Sequence, residues 1–252
     1  MNQCEITYFH SKAYKIEMVY CKDTKITYLE HNHVSNYVIG LVLDGKIQLT
    51  RSNEQMLINK NDFFIIPPYE PHMIEAFYGK YTMMTVCVNI GFVREYDLET
   101  AFPILQDLAD SLLIKELITP EQRATFSRSI DLLFLSIIST KEPLREEILY
   151  ARNYLEQIPE NAISIDQLSQ NFFISKYHFI REFKKAVGLT PHRFQIQNRI
   201  RKAQHLLTEK RSITEVALVT GFYDQSHFIK CFRKMVGITP SKYLLSNSEL
   251  PL

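Results

Sequence analysis

The side chains best suited to chemistry in this 252-residue chain fall into two sets. The first is cationic and occurs twice: Arg181, Lys184 and Lys185 return 49 positions later as Lys230, Arg233 and Lys234. Guanidinium and ammonium groups ranged along one helix face displace the counterions condensed on a phosphodiester backbone, which is the chemistry of nucleic-acid affinity. The second set is imidazole: His31 and His33 with one residue between them, and His72 closing the run Pro67-Pro68-Tyr69-Glu70-Pro71-His72. Histidines so placed either converge on a cation or hydrogen-bond to an organic ligand or to backbone. The four cysteines, Cys4, Cys21, Cys87 and Cys231, show no Cys-x-x-Cys and no metal-ligand spacing. They are read as reduced thiols, with a redox-sensing pair as the minor alternative.

The cationic side chains are positioned by a repeat. FISKYHFIREFKKAVGLTPHRF (173–194) lies over FYDQSHFIKCFRKMVGITPSKY (222–243), with ten of 22 positions identical. Two copies are too few for a solenoid, so a duplicated module used as a pair is expected. Phe179, Phe183 and Val187 fall four apart, as do Phe228, Phe232 and Val236, which predicts an amphipathic helix with its cations on the opposite face. Gly188 and Gly237 stand where a left-handed residue closes a helix. Thr190-Pro191 and Thr239-Pro240 each open the next helix, as N-cap and first helical residue. Short helices at Ile165–Phe172 and Ile213–Thr220 precede the basic ones, so each copy reads as a helix-turn-helix.

At these residues the chain resembles a known family. ITEVALVTGFYDQSHFIKCFRKMVGITPSKY is similar to the second DNA-binding motif of AraC/XylS-type transcriptional regulators. SIDQLSQNFFISKYHFIREFKKAVGLTPHRF, followed by RIRKAQHLL, resembles the first motif and its connecting helix. The likeness covers residues 145–245 and rests on both Gly-(Ile/Leu)-Thr-Pro signatures at the right separation. It departs at Phe173, where the family commonly carries a small residue in the first turn. The resemblance implies base-facing positions at Tyr177, Ile180 and Arg181 in one motif and at Gln225, Ser226, His227, Ile229 and Lys230 in the other. Lys184 and Lys234 are assigned to phosphates rather than to a merely solvated face. Arg181 suits guanine O6 and N7, Gln225 suits adenine, and Ile180 and Ile229 suit thymine methyls. His178 matches His227 by repeat and is equally well a partly buried helix residue.

The rest of the chain follows from composition and period. Residues 143–252 hold 16 Lys/Arg against 10 Asp/Glu and residues 1–142 hold 13 against 18, so only the C-terminal part is suited to phosphates. Short apolar runs at Ile16–Tyr20, Lys25–Leu29, Tyr37–Leu43, Lys46–Thr50, Met56–Ile58, Phe63–Ile66 and Tyr81–Val88 predict strands, with Asp44-Gly45 as a hairpin turn. So many short strands imply a closed barrel or jelly roll, and with its histidines it resembles the cupin-like sensor barrel of AraC-type regulators. A cupin metal site also needs a carboxylate, and Tyr37 or Val38 stands where it belongs. The expectation is therefore no metal and no cofactor, with His31, His33, Tyr37, Tyr69 and His72 contacting a small organic effector. Tyr28, Phe77 and Tyr81 are further aromatic candidates, each more readily explained as core.

Leu98, Phe102, Leu105, Leu108, Leu112 and Ile118 predict one helix ending at Thr119-Pro120. Phe126, Ile130, Leu133, Phe134 and Ile137 predict a second. The resemblance makes this pair a dimer contact, packing on the barrel being the alternative, and Ser139–Leu144 is the expected linker. The fold class is thus α+β with two domains: a cupin-like effector-binding β-barrel (1–95), a helical dimerisation/linker segment (96–142) and an all-α DNA-binding domain (143–252). The two helix-turn-helix motifs lie at about 164–188 and 213–237. The helix over Pro191–Thr208 spans ~27 Å at 1.5 Å per residue, near the ~34 Å between successive major grooves on one DNA face.

No signal pattern or membrane-length apolar run occurs, so a soluble, cytoplasmic protein is expected. The implied function is an effector-responsive activator, not an enzyme. Its implied partners are double-stranded DNA, a small-molecule effector, a second copy of the chain and RNA polymerase, without a membrane. Two rival readings remain: an effector-independent regulator whose barrel is a protein-interaction platform, and a cupin metalloenzyme fused to a DNA-binding module.

Overall fold

The computed structural model describes residues 5–11, 14, 16–51, 54–139, 146–161, 164–172, 174–209 and 211–249. The chain divides into two compact units, residues 1–141 with 246–252 and residues 142–245. Cys4, Phe173 and most of the expected Ser139–Leu144 linker lie outside the described residues.

The first unit is a β-sandwich of two sheets. Its strands are β1 (Glu5–Ser11), β2 (Ile16–Thr24), β3 (Tyr28–His31), β4 (Asn36–Asp44), β5 (Lys46–Arg51), β6 (Glu54–Asn59), β7 (Phe63–Ile66), β8 (His72–Ala76), β9 (Tyr81–Asn89) and β10 (Asn247–Glu249). One sheet runs β10-β1-β2-β9-β4-β7 and the other β3-β8-β5-β6. All pairings are antiparallel except β1 with β10. Two-residue alternation explains how β4 serves two cores. Tyr37, Ile39, Leu41 and Leu43 join an apolar cluster with helices α1 (Ile90–Ile114) and α2 (Pro120–Ser139), through Leu105, Leu108, Leu112, Phe126, Ile130 and Leu133. Val38, Gly40 and Val42 fall on the other face, where a Cβ on Gly40 would overlap the Phe64 ring. The Asp44 hairpin turns at Gly45, whose φ of 74° and closeness to the Lys80 carbonyl both exclude a side chain.

Several expectations shift. The run expected at Lys25–Leu29 forms its strand later, over Tyr28–His31, and His72–Ala76 adds a strand absent from the apolar runs. The first helix begins at Ile90 rather than near 97, because the Asn89 side chain accepts from Gly91 N (2.8 Å) and caps it directly after β9. It ends at Ile114, so Ile118 is buried in the connection and is not helical. Thr119 and Gln122 then form a reciprocal capping box at the start of α2 (3.3 and 3.0 Å). Residues 246–249 group with the barrel, through β10, and not with the C-terminal helices.

The second unit is all-helical: α3 (Glu146–Gln157), α4 (Ile165–Asn171), α5 (Lys176–Val187), α6 (Pro191–Thr208), α7 (Ile213–Val219), α8 (Gln225–Val236) and α9 (Pro240–Leu245). α6 is its axle, packing against α3, α5, α7, α8 and α9. Phe179, Phe183, Val187, Phe194, Ile200, Ala203, Leu207, Phe228 and Phe232 are buried around it.

Candidate functional site

Local chemistry builds the two basic helices alike. Ser175 accepts from His178 N (3.3 Å) to start α5, and Asp224 accepts from His227 N (2.7 Å) to start α8. Gly188 (φ 84°) and Gly237 (φ 89°) end them in the left-handed conformation, as the sequence predicts. The apolar stripe is sunk in the core, with Phe179, Phe183, Phe228 and Phe232 fully buried. The residues left on the surface are therefore the polar ones.

Tyr177, Arg181 and Lys184 are exposed at i, i+4 and i+7 on α5, and their repeat equivalents Ser226, Lys230 and Arg233 are exposed on α8. Gln225, His227 and Lys234 are exposed too, Gln225 accepting from the Thr214 hydroxyl of α7 (3.3 Å). Arg181 leans on its own helix: its Nη2 donates to His178 Nδ1 (3.1 Å), and its Nε lies 3.9 Å from Glu182. Ile180 and Ile229 are only half-exposed beside the apolar stripe. The His178 ring is half-buried, while His227 packs edge-on against Phe222 (5.5 Å).

Sequence reasoning counted Arg233 among the cations of the basic face but gave it no DNA role of its own, although its offset of 49 pairs it with Lys184. It also missed what holds the two motifs to α6. Arg199 on α6 donates to the carbonyls of Pro159 (2.7 Å), Glu160 (3.2 Å) and Gly221 (2.6 Å), tying the turn after α3 to the turn of the second motif. Gln195 donates to Pro159 O (3.1 Å) and Asn161 O (2.5 Å). Lys202 pairs with Glu160 (2.7 Å). Partial burial alone would raise the Glu160 carboxyl, but the Lys202 hydrogen bond, its own backbone and the Lys202 and Arg199 charges hold it below its ordinary value.

In the barrel the three histidines meet. His31 and His72 are register partners across β3 and β8, so their rings face each other at 4.3 Å. His33 lies 5.1 Å from His31 and 5.3 Å from His72, stacked on the latter. Tyr69 fixes this arrangement through its backbone, donating to His33 O (2.9 Å) while its carbonyl accepts from Asn32 (3.3 Å). Its hydroxyl lies 3.2 Å from Ser35 Oγ. His72 is buried, and burial, then the neighbouring His31, push its imidazole well below 6.5 and keep it neutral.

Tyr37 does not join them. The pleat turns it into the cluster under α1 and α2, so placing it at an effector with the histidines is corrected. Tyr81 spends its hydroxyl on Ile26 O (2.8 Å). Tyr28 pairs with Cys21 Sγ (3.1 Å), and burial pushes its phenol well above 10.0. The Tyr28 ring also lies 6.5 Å from that of His31. Cys21, Cys87 and Cys231 form no disulfide among the described residues.

Residues 168–246 match the helix-turn-helix domain family, and residues 21–151 match the AraC-like ligand binding domain, which by itself spans half of the chain. The chain belongs to the AraC family of transcriptional regulators. The chain is similar to the uncharacterized HTH-type transcriptional regulator YbfI of Bacillus subtilis, 28% identical over 246 residues, covering 87% of this chain and 86% of that one. The activator RhaS of Escherichia coli is 30% identical over 111 residues, 41% of this chain and 40% of its own. Among solved structures, ToxT of Vibrio cholerae has the same two-part fold at a TM-score of 0.59 and 14% identity, over 92% of this chain and 98% of its own. A second ToxT structure, bound to an unsaturated fatty acid, gives 0.56 at 14% identity over 98% of both chains. Within the AraC family, then, the α5 and α8 faces belong to the helix-turn-helix domain and the histidines to the ligand-binding domain.

Proposed function

We propose that this AraC-type regulator is an activator that reads DNA through α5 and α8 and takes a small organic effector at the barrel histidines. The observation that carries the DNA reading is the pair of exposed stripes, Tyr177/Arg181/Lys184 and Ser226/Lys230/Arg233, set on helices that share a side-chain N-cap, a left-handed glycine C-cap and the same buried Phe-Phe-Val face. Arg181 and Lys230 read base edges, with Gln225, Ser226, His227 and the flanks of Ile180 and Ile229. Lys184, Arg233 and Lys234 hold phosphates.

The effector contacts are His31, His33, His72 and the Tyr69 loop. The buried His72 imidazole beside Arg51, which lies 3.5 Å from Glu70, suits a ligand with a polar or acidic head. Fatty acids, the class bound by one ToxT structure, are the first to try. The barrel is a sensor and not a catalyst, and the regulator works in the cytoplasm, in contact with RNA polymerase. Its dimer contact lies on α2, where Leu132 and Leu135 stand 47% and 62% exposed on one face.

Operator affinity measured with and without a panel of such effectors tests the sensor. A bound ligand must prefer one DNA-binding arrangement to change affinity. A ligand that raises the melting temperature yet leaves operator affinity unchanged removes the sensor from the account.

A further inference from the structure

The geometry points to a function for the histidines beyond hydrogen bonding: we propose that His31, His33 and His72 form a binding site for one divalent first-row transition ion of the Zn2+ type, with a coordination position left open to a ligand. One ring nitrogen from each of the three lies within 4.8 Å of the others. A point therefore exists no farther than about 2.8 Å from all three, and Zn–N bonds of about 2.0–2.1 Å need each ring to move inward by less than 1 Å. Three imidazoles make a complete ligand set for such an ion without a carboxylate, leaving the fourth tetrahedral position open. The missing carboxylate at Tyr37 or Val38, which argued against a metal in the sequence, is thus no obstacle.

Two of the rings make the backbone hydrogen bond that metal-bound imidazoles make with their other nitrogen, and His33 Nδ1 lies 3.8 Å from Cys87 Sγ. His31 Nδ1 lies 2.7 Å from Leu29 O and His72 Nδ1 lies 3.0 Å from Glu70 O. A backbone carbonyl only accepts, so in both rings Nδ1 carries the proton and Nε2 is the lone-pair nitrogen. The backbone bonds between Tyr69, His33 and Asn32 hold the third ring's segment against the other two. The Arg51 guanidinium near His72 is offset by Glu70 at 3.5 Å, so no unbalanced cation opposes the ion.

The test uses the full chain without an affinity tag, stripped of metal and titrated with Co2+ and then Zn2+ alone. One equivalent of Co2+ should give the visible absorption of a nitrogen-rich tetrahedral site, and Zn2+ should displace it. His33→Gln and the double change His31→Gln, His33→Gln touch partly exposed rings and should weaken binding by about tenfold or more with unchanged circular dichroism. His72→Gln should do the same, and the first two variants keep the test decisive if that one fails to fold. A chain that takes up no Co2+ or Zn2+, or takes up as much in the double variant, overturns the site. Duplex binding recorded on the same samples separates this result from the regulator reading: a chain that binds DNA but no metal loses only the metal site.

Discussion

Arg181 is the side chain with the most to lose from truncation. Its guanidinium is exposed at the centre of the α5 stripe and steadied by His178, and in the proposed reading its removal deletes a two-point contact to a base edge. Arg181→Ala should weaken operator binding by about 1–3 kcal/mol and relax the preference at one base pair, measured by gel shift on a set of operator variants. Unchanged affinity and preference would count against its role. Lys184→Ala and Arg233→Ala differ in kind, because phosphate contacts carry no sequence information. Each should lower affinity evenly across sequences and flatten the dependence of log affinity on log salt by about 0.9. At this scale the sequence was legible where the repeat wrote a residue twice, and Arg233 was there to be found by the same offset. The barrel was less legible. Whether Tyr37 or Val38 faces the histidines depends on strand phase, and α1 and α2 draw Tyr37 to the opposite face.

The elements rest on turns as much as on their apolar faces. Gly221 sits in the turn of the second motif at φ 82°, and a Cβ there would come within 2.5 Å of Glu160 O. Gly221→Ala should cost at least ~1–2 kcal/mol for the left-handed backbone alone, read by denaturant unfolding of the full chain. A neutral result would mean that the turn is not held against Glu160. The Glu160–Lys202 pair adds a pH dependence. A carboxyl held below its ordinary 4.5 in the folded state contributes stability above that pH and loses it as pH falls through the folded value. Glu160→Gln should therefore melt lower than the wild type at neutral pH, the difference shrinking below about 4.5. A difference constant with pH would contradict this. Caps, glycines and 3.6-residue periods placed both ends of α4, α6 and α7, and the C-terminal ends of α5 and α8, within a residue of where they lie, because those signals are local. β1, β8, β10 and the early start of α1 were not seen. The strands depend on distant partners, whereas the Asn89 cap was a local signal left unread.

Over the whole molecule the charge is divided, and the excess of cations on residues 143–252 gathers in the unit that presents α5 and α8. If two copies pair through Leu132 and Leu135, Leu135→Glu should shift sedimentation toward the monomer without unfolding the chain, and an unchanged dimer would place the contact elsewhere. The central claim is that the two copies of one basic helix enter successive major grooves of one duplex, with α6 as the spacer between them. Hydroxyl-radical footprinting of the full chain on a selected operator tests it most directly. The account predicts two protected segments about 10.5 base pairs apart on one DNA face, one lost in Arg181→Ala and the other in Lys230→Ala. A single protected segment, or two that fade together in either variant, would contradict it.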